Sequence, residues 1–308
     1  MFFRKRKNNL IKIIIFVNFT GSKITFQRVT IKTLIIKKCN IDTSKDFDLE
    51  FMNISEEPIA LKEIASEIHK FKSISLEEMN AVSLMKRTDT KYIIHVNSLA
   101  PILDDLQKKY QVLEVESRRI MNYSSVYFDT PEFKFYFDHH NGRVHRTKVR
   151  QRKYVDSELT FLEIKQKNGK GETNKSRIEI ADFELDLSTK SREFISKVTG
   201  QVFDLQPSLW NRFKRITLVN LKDNERATID INLTYSMNDK DKRYENIVVV
   251  EVKQHRFDRK SMLVKTLKKY KYNPYSISKY CIGMVNLYEH LKYNLFKRKL
   301  LKITKISL

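Results

Sequence analysis

Charged and apolar side chains alternate along several short segments of this chain, and that period constrains its fold more than any other feature. In residues 226–235, Arg226, Thr228, Asp230, Asn232 and Thr234 alternate with Ala227, Ile229, Ile231, Leu233 and Tyr235. Successive side chains of a strand point to opposite faces, so a period of two predicts extended chain with one ionic and one apolar face. In residues 146–152 it sets Arg146, Lys148, Arg150 and Arg152 against Thr147, Val149 and Gln151. Glu163, Lys165 and Lys167 likewise oppose Leu162 and Ile164, and Lys175, Arg177 and Glu179 oppose Ile178 and Ile180. Glu251 and Lys253 oppose Val248, Val250 and Val252.

Alternation alone fits two architectures. Ionic faces turned to water would leave the apolar faces to pair as a sandwich, whereas a sheet curled under external helices would turn them inward. Carboxylates, several cations and Thr or Asn mixed on one face suit a lined cavity better than a solubilising surface. The expectation is therefore an α+β fold: an antiparallel β-barrel tunnel with a charged interior and helices packed outside. The strands are short and interrupted by helical stretches, which argues against a membrane barrel.

The 59 Lys and Arg against 37 acids give a net charge of +22. Such a balance attracts nucleic acid, anionic membrane or polyphosphate-like anions without separating them. Two cysteines, Cys39 and Cys281, exclude a disulfide scaffold and a cysteine zinc site. No apolar run reaches the roughly 20 residues that span a bilayer.

Residues 1–51 lack a sustained period and hold eleven basic and four acidic residues. They read as a disordered arm or as an upstream extension of a chain that starts near Met52, leaving residues 52–308 as one domain. Helical spacing is expected over residues 56–71 and over 99–110, with Asn97 or Ser98 as N-cap and Pro101 in the first turn. Shorter helices are expected near 191–198, ended by Gly200, and near 258–270. A final helix from Ser278 would align Cys281, Met284, Tyr288, Leu291 and Leu295. The basic tail, residues 297–308, reads as a solvated end compatible with an anionic membrane surface.

Residues 123–133 read as a strand entering a helix, with Asp129 and Thr130 as caps and Pro131 at the turn. His139, His140 and His145 match no zinc spacing, and ordinary polar roles are expected of them, with His140 as the one exception, a tunnel-lining position. Residues 167–172 suit a hairpin turn better than a phosphate loop.

Taken in order, Arg87-Thr-Asp-Thr-Lys-Tyr92, Tyr127-Phe-Asp-Thr-Pro131, His140, Arg146-Thr-Lys-Val-Arg-Gln-Arg152, Glu163-Ile-Lys165, Asn174-Lys-Ser-Arg177, Arg226 with Asp230, Glu251-Val-Lys253 and Ser278-Lys-Tyr280 resemble the VTC domain. That is the catalytic module of vacuolar transporter chaperone-type polyphosphate polymerases and their stand-alone bacterial relatives, within the triphosphate tunnel metalloenzyme superfamily. The resemblance spans about residues 86–288. It implies a barrel tunnel, ATP as donor and polyphosphate as product. By motif, Lys91, Arg150, Arg152, Lys165, Lys175, Arg212, Arg226 and Lys279 would line the tunnel as catalytic cations, Arg212 through Asn211-Arg-Phe213. Glu251 would bind Mn²⁺ or Mg²⁺. Arg146, Lys148, Arg177, Lys253, Ser278 and His140 would contact substrate.

The residue chemistry agrees with such roles. Phosphoryl transfer asks a protein mainly for positioning and charge neutralisation. Arg grips two phosphate oxygens with a planar fork, Lys acts as a point charge, and a divalent ion takes one or two carboxylates plus substrate oxygens. Hydrolytic tunnel enzymes are expected to carry Glu-x-Glu-x-Lys near the start; here Arg87-Thr-Asp-Thr-Lys91 stands instead, which points to the polymerase branch over a triphosphatase. A noncatalytic polyphosphate-binding subunit is the alternative from another class. Nucleic acid is not expected as partner, since aromatic residues are not interleaved as stacking platforms. Neither an SPX domain nor membrane helices are read, so a cytoplasmic protein is expected, at the inner membrane face where a membrane-protein partner recruits it.

Overall fold

The computed structural model describes residues 59–81, 87–170 and 172–308. The expectation for residues 1–51 lies outside them. Eight helices are described: α1 (Ile59–His69), α2 (Leu76–Ala81), α3 (Leu99–Leu106), α4 (Lys134–His140), α5 (Thr189–Thr199), α6 (Met262–Lys269), α7 (Lys279–Leu287) and α8 (Lys297–Ser307). The strands are β1 (Lys72–Ile74), β2 (Thr88–His95), β3 (Gln111–Leu113), β4 (Met121–Asp129), β5 (Arg146–Tyr154), β6 (Leu159–Lys167), β7 (Thr173–Ile180), β8 (Gln206–Asn220), β9 (Glu225–Met237), β10 (Lys240–Tyr244) and β11 (Ile247–Gln254).

All the strands join one sheet whose main path runs β2-β11-β9-β8-β4-β5-β6-β7. Every ladder on that path is antiparallel. No described ladder joins β7 back to β2, so the sheet is curled rather than closed as a hydrogen-bonded barrel. Its curl is nevertheless strong: the Lys165 ammonium on β6 feels Lys91 on β2 and Glu251 on β11, from the other end of the strand order.

The period-two faces segregate as the alternation predicts. Tyr92, Ile94, Ile216, Leu218, Ala227, Ile229, Val248, Val250 and Val252 form the convex face and pack under α1, α3 and α6. Val126, Phe128, Val149, Leu162 and Ile164 continue that face under α5. Leu99, Ile102, Leu103 and Leu106 of α3 are all buried there. At roughly 1.5–3 kcal/mol for each fully buried Leu, Ile or Val side chain, this shell dominates the stability of the fold.

The concave face holds a surprise for the alternation rule. Ile93, Leu209, Phe213, Leu233, Tyr235, Ile247 and Val249 all point inward, and α7 packs on them through Tyr280, Cys281, Met284 and Leu287. Helix α7 thus fills part of the trough, joined in the same cluster by Tyr136 of α4 and Ile303 of α8, while α1, α3, α5 and α6 cover the outside. Gly283 permits the approach, because a Cβ there would come within 2.5 Å of Leu209 Cδ2 and 2.6 Å of Tyr235 Cδ1. The other end of the trough is covered by Ile74 and Met79 on Val219.

A bulge explains why Leu233 and Tyr235 face inward, where strict alternation from Asp230 would put Asn232 and Thr234. The β8–β9 register shifts between Arg212 and Lys214, and Asn232 adopts φ 52°, the left-handed region that Asn tolerates better than β-branched residues. One extra residue exchanges the faces beyond it. The single helix expected from Ser278 also breaks: α7 ends at Leu287, a short 3₁₀ turn follows at Asn294–Phe296, and the basic tail forms α8 with Ile303 buried.

A cationic trough as candidate active site

Inward-facing side chains of the eight main-path strands meet on the concave face. On β5, Arg146, Lys148, Arg150 and Arg152 share a side, as the register with Lys167, Lys165, Glu163 and Phe161 on β6 requires. On β7, Lys175 and Arg177 sit opposite Lys165 and Glu163. On β11, Glu251 and Lys253 face inward beside Lys91 of β2 and Thr228 of β9.

Three carboxylates organise these cations. Glu163, only 2% exposed, accepts from Arg150 Nε at 2.8 Å and pairs with Lys175. Burial would raise its pKa, but Arg150, Arg152 and Lys175 overrule burial and hold the carboxyl well below the usual range. Asp230 accepts a two-pronged grip from Arg215 and also pairs with Lys279, which depresses it in the same way against the effect of burial. Glu251 accepts from Lys91 Nζ at 2.6 Å and has Lys253 Nζ at 3.3 Å. Lys253 and Lys91 outweigh burial there and keep Glu251 ionised.

The lysines pay for this crowding with weakened basicity. Burial, partly offset by Glu163, brings Lys175 down to about 8. Burial against the pull of Glu251 brings Lys253 to about 8 as well. Burial and the neighbouring Lys91 and Lys148 lower Lys165, although the residue as a whole is exposed. Burial also lowers Lys148, whose Nζ donates to Ser278 Oγ at 2.8 Å.

Helix α7 brings Ser278 and Lys279 into the trough. Ser278 is its N-cap, Oγ accepting from the Cys281 N–H at 3.2 Å. Tyr280 hydroxyl donates to the buried Asp129 carboxylate, which also accepts the N–H groups of Thr130, Phe135 and Tyr136 at 2.8, 2.8 and 2.9 Å. Asp129, expected as a cap, therefore also ties α7 to the end of β4.

Two sequence expectations are corrected. Arg212 lies on the convex side, registered with Ser124 and Thr234, its guanidinium carbon 5.7 Å over the Trp210 ring. The inward cation of β8 is Arg215, stacked 4.8 Å over Tyr123. The alternation of Arg215 and Thr217 with Ile216 and Leu218 carried that signal, which the motif match overlooked. His140 is buried by packing, its ring against Tyr136 and Phe296 and its Nδ1 2.9 Å from Asn141 Oδ1. His139 instead approaches the cations, and burial with Lys148 and Arg146 pushes it down to about 2. Arg226 is on the concave side but at its covered end, donating to the Met79 carbonyl at 2.8 Å. Arg177 lies toward the exposed edge, 4.6 Å over Phe161.

Among the described residues, no three His, Cys, Asp or Glu side chains gather as a metal cage. The donor set suits a divalent ion held by one carboxylate, Glu251, together with substrate oxygens. A cavity of about 440 Å³ lined by Tyr244, Asn286 and Thr304 contains none of the trough cations. The trough cations lie instead on the concave face, bordered by the edge strand β7.

No curated protein matches the chain. Among solved structures, it resembles a protein of Vibrio parahaemolyticus provisionally named an adenylate cyclase, at 12% identity and TM-score 0.37, covering 64% of this chain and 98% of that one. It also resembles a Hippeastrum protein provisionally named an adenylyl cyclase and described as having a dominant triphosphatase activity, at 15% identity and TM-score 0.43, covering 65% and 96%. A conserved hypothetical protein of Pyrococcus furiosus matches at 14% identity and TM-score 0.31, covering 68% and 99%. A family model, the VTC domain, matches residues 86–288, which contain β2 to β11 and α3 to α7, and this chain belongs to that family.

Proposed function

We propose that the chain is a metal-dependent polyphosphate polymerase that moves the γ-phosphoryl group of ATP onto a growing polyphosphate chain. The observation that carries this reading is the convergence of Lys91, Lys148, Arg150, Arg152, Lys165, Lys175, Arg215, Lys253 and Lys279 on one trough whose carboxylates are fewer and already paired. Such an excess of charge is neutralised best by a chain of phosphates.

In the step itself a terminal phosphate oxygen of the chain forms a P–O bond to the γ-phosphorus, and the bond from that phosphorus to the β–γ bridging oxygen breaks. ADP leaves with the bridging oxygen. The attacking oxygen is already anionic near neutral pH, so no general base is required. Arg150 and Arg152 orient phosphate oxygens, Lys91 and Lys165 hold the transferring group from opposite walls, and Ser278 with Lys148 fixes a neighbouring phosphate. A divalent Mn²⁺ or Mg²⁺ at Glu251 would supply further neutralisation of developing charge.

Incubation with ATP and Mn²⁺ should yield ADP and long polyphosphate in equal phosphate balance, and Glu251→Gln should lower that yield at least tenfold. Orthophosphate release without chain growth would establish the second reading, an inorganic or nucleoside triphosphatase, which the paired interior carboxylates also allow. Tight binding without turnover by either assay would make the chain a noncatalytic polyphosphate-binding subunit.

A further inference from the structure

The lining of the trough changes along the strands. Toward the Tyr154 end of β5 and the Leu159 end of β6 it becomes aromatic: Tyr154 lies 5.0 Å from Tyr123 and 5.8 Å from Phe161, ring centroid to centroid. Phe161 belongs to none of the apolar clusters described above. Its ring is half-buried on the ionic face, and the Arg177 guanidinium that covers it is exposed on β7, the free edge of the sheet. A large aromatic group in that place contributes little to the core. Its half-buried ring, under an exposed planar guanidinium, suits a flat aromatic ligand.

Position makes the ligand more specific. Phe161 is registered opposite Arg152 and Glu179, and Glu163, which holds Arg150 and Lys175, follows two residues later on the same face. Two residues of strand cover about 7 Å, so the ring stands one row of side chains from the cations that would hold phosphates. An aromatic platform at that remove from a polyphosphate site matches the arrangement of base, ribose and triphosphate in a nucleotide. The immediate neighbours of Phe161 in that row, Arg152 and Glu179, carry no amide, and the one amide of the row, Asn211, lies three strands away with its Nδ2 donating to the Thr234 carbonyl, so recognition rests on stacking rather than on a hydrogen-bond pattern.

We propose that Phe161, flanked by Tyr154 and covered by Arg177, is the stacking site for the nucleobase of a nucleoside triphosphate whose phosphates lie among Arg150, Lys175 and Lys165. The proposal rests on the triphosphate reading of the trough and adds base-tolerant nucleotide recognition to it. Every base has a π-face, so ATP and GTP bind alike, and the smaller pyrimidine rings bind more weakly. Arg177 swings aside when the base arrives and then stacks on its outer face, where a planar guanidinium retains its cation–π contact.

Titration calorimetry on the full chain in Mn²⁺ tests this with ATP, GTP, CTP and inorganic tripolyphosphate. Phe161→Leu should weaken ATP and GTP by about tenfold or more, in line with loss of a stacking platform, while tripolyphosphate changes less than twofold. Phe161→Trp should keep ATP affinity. Equal weakening of ATP and tripolyphosphate, or no weakening of either, overturns the assignment. Should Phe161→Leu not fold, the unaltered chain decides: ATP and GTP must bind more tightly than CTP, and equal affinities overturn it. Tripolyphosphate binding with no dependence on the base removes this proposal alone, whereas failure to bind any of the four removes the reading of the trough beneath it.

Discussion

Arg215 holds Asp230 in a two-pronged grip, Nε to Oδ1 at 2.6 Å and Nη2 to Oδ2 at 2.9 Å, across the β8–β9 ladder in which the two residues are direct partners. Asp230 is 2% exposed and also takes Lys279 from the first turn of α7, so one carboxylate joins two strands and the helix that fills the trough. Removing it leaves two buried cations facing one another. Asp230→Asn should therefore destabilise the fold by about 3–5 kcal/mol. Chemical denaturation checks this, and added tripolyphosphate should restore part of the loss by replacing the missing negative charge.

Asp230 and Glu163 together make the fold sensitive to acid. Asp230 and Glu163 have folded pKa values below their usual ones, so the stability they contribute is complete above about pH 4.5 and is lost as pH falls toward the folded values. In Asp230→Asn the acid-induced part of the denaturation curve should flatten. An unchanged acid slope would contradict the assignment.

Arg215 and Arg212 stand three residues apart on β8 yet on opposite faces. Arg215→Ala should reduce tripolyphosphate affinity at least tenfold, and Arg212→Ala should change it less than twofold. Isothermal titration of the two variants side by side distinguishes the faces. The reverse order would mean that the concave side is not the anion site.

Lys175 and Lys253 titrate near pH 8, both lowered from the usual lysine value. Below that pH they are charged and attract an anion; as pH rises through it they become neutral and the attraction fades. Tripolyphosphate should thus bind more weakly at pH 9.5 than at pH 7, and binding near pH 8 should take up protons, because the anion favours the charged lysines. Calorimetry in two buffers of different ionisation enthalpy measures that uptake. An affinity constant from pH 7 to 9.5 would reject it.

Asn232 has φ 52° and creates the bulge that turns Leu233 and Tyr235 toward α7. A β-branched residue resists that conformation, so Asn232→Val should cost about 1–2 kcal/mol, while Asn232→Gly should be close to neutral. Urea midpoints of the two variants provide the comparison. Gly283 sets a complementary limit, since a Cβ there would come within 2.5 Å of Leu209 Cδ2 and 2.6 Å of Tyr235 Cδ1.

Much of this was legible in the residues themselves. The alternation at 146–152, 161–167, 175–180 and 247–254 assigned the ionic and apolar faces of β5, β6, β7 and β11 correctly, because pleating couples sequence parity to face wherever no bulge intervenes. Ser278 starts α7 as its N-cap, and Gly200 ends α5 with φ 71°, as local backbone chemistry requires. The family motifs located Lys91, Arg150, Lys165, Lys175, Glu251 and Lys279, all of which gather in the trough.

Other features belonged to the folded molecule alone. That Arg215 and not Arg212 faces inward follows from parity on β8, but that the parity of β9 reverses at Asn232 depends on its partner strand. That α7 lies inside the curl depends on Gly283 meeting side chains more than forty residues away. Pleat and capping are local, so residue order settles which groups share a face; which faces then meet, and what fills the space between them, is settled by packing between segments distant in the chain.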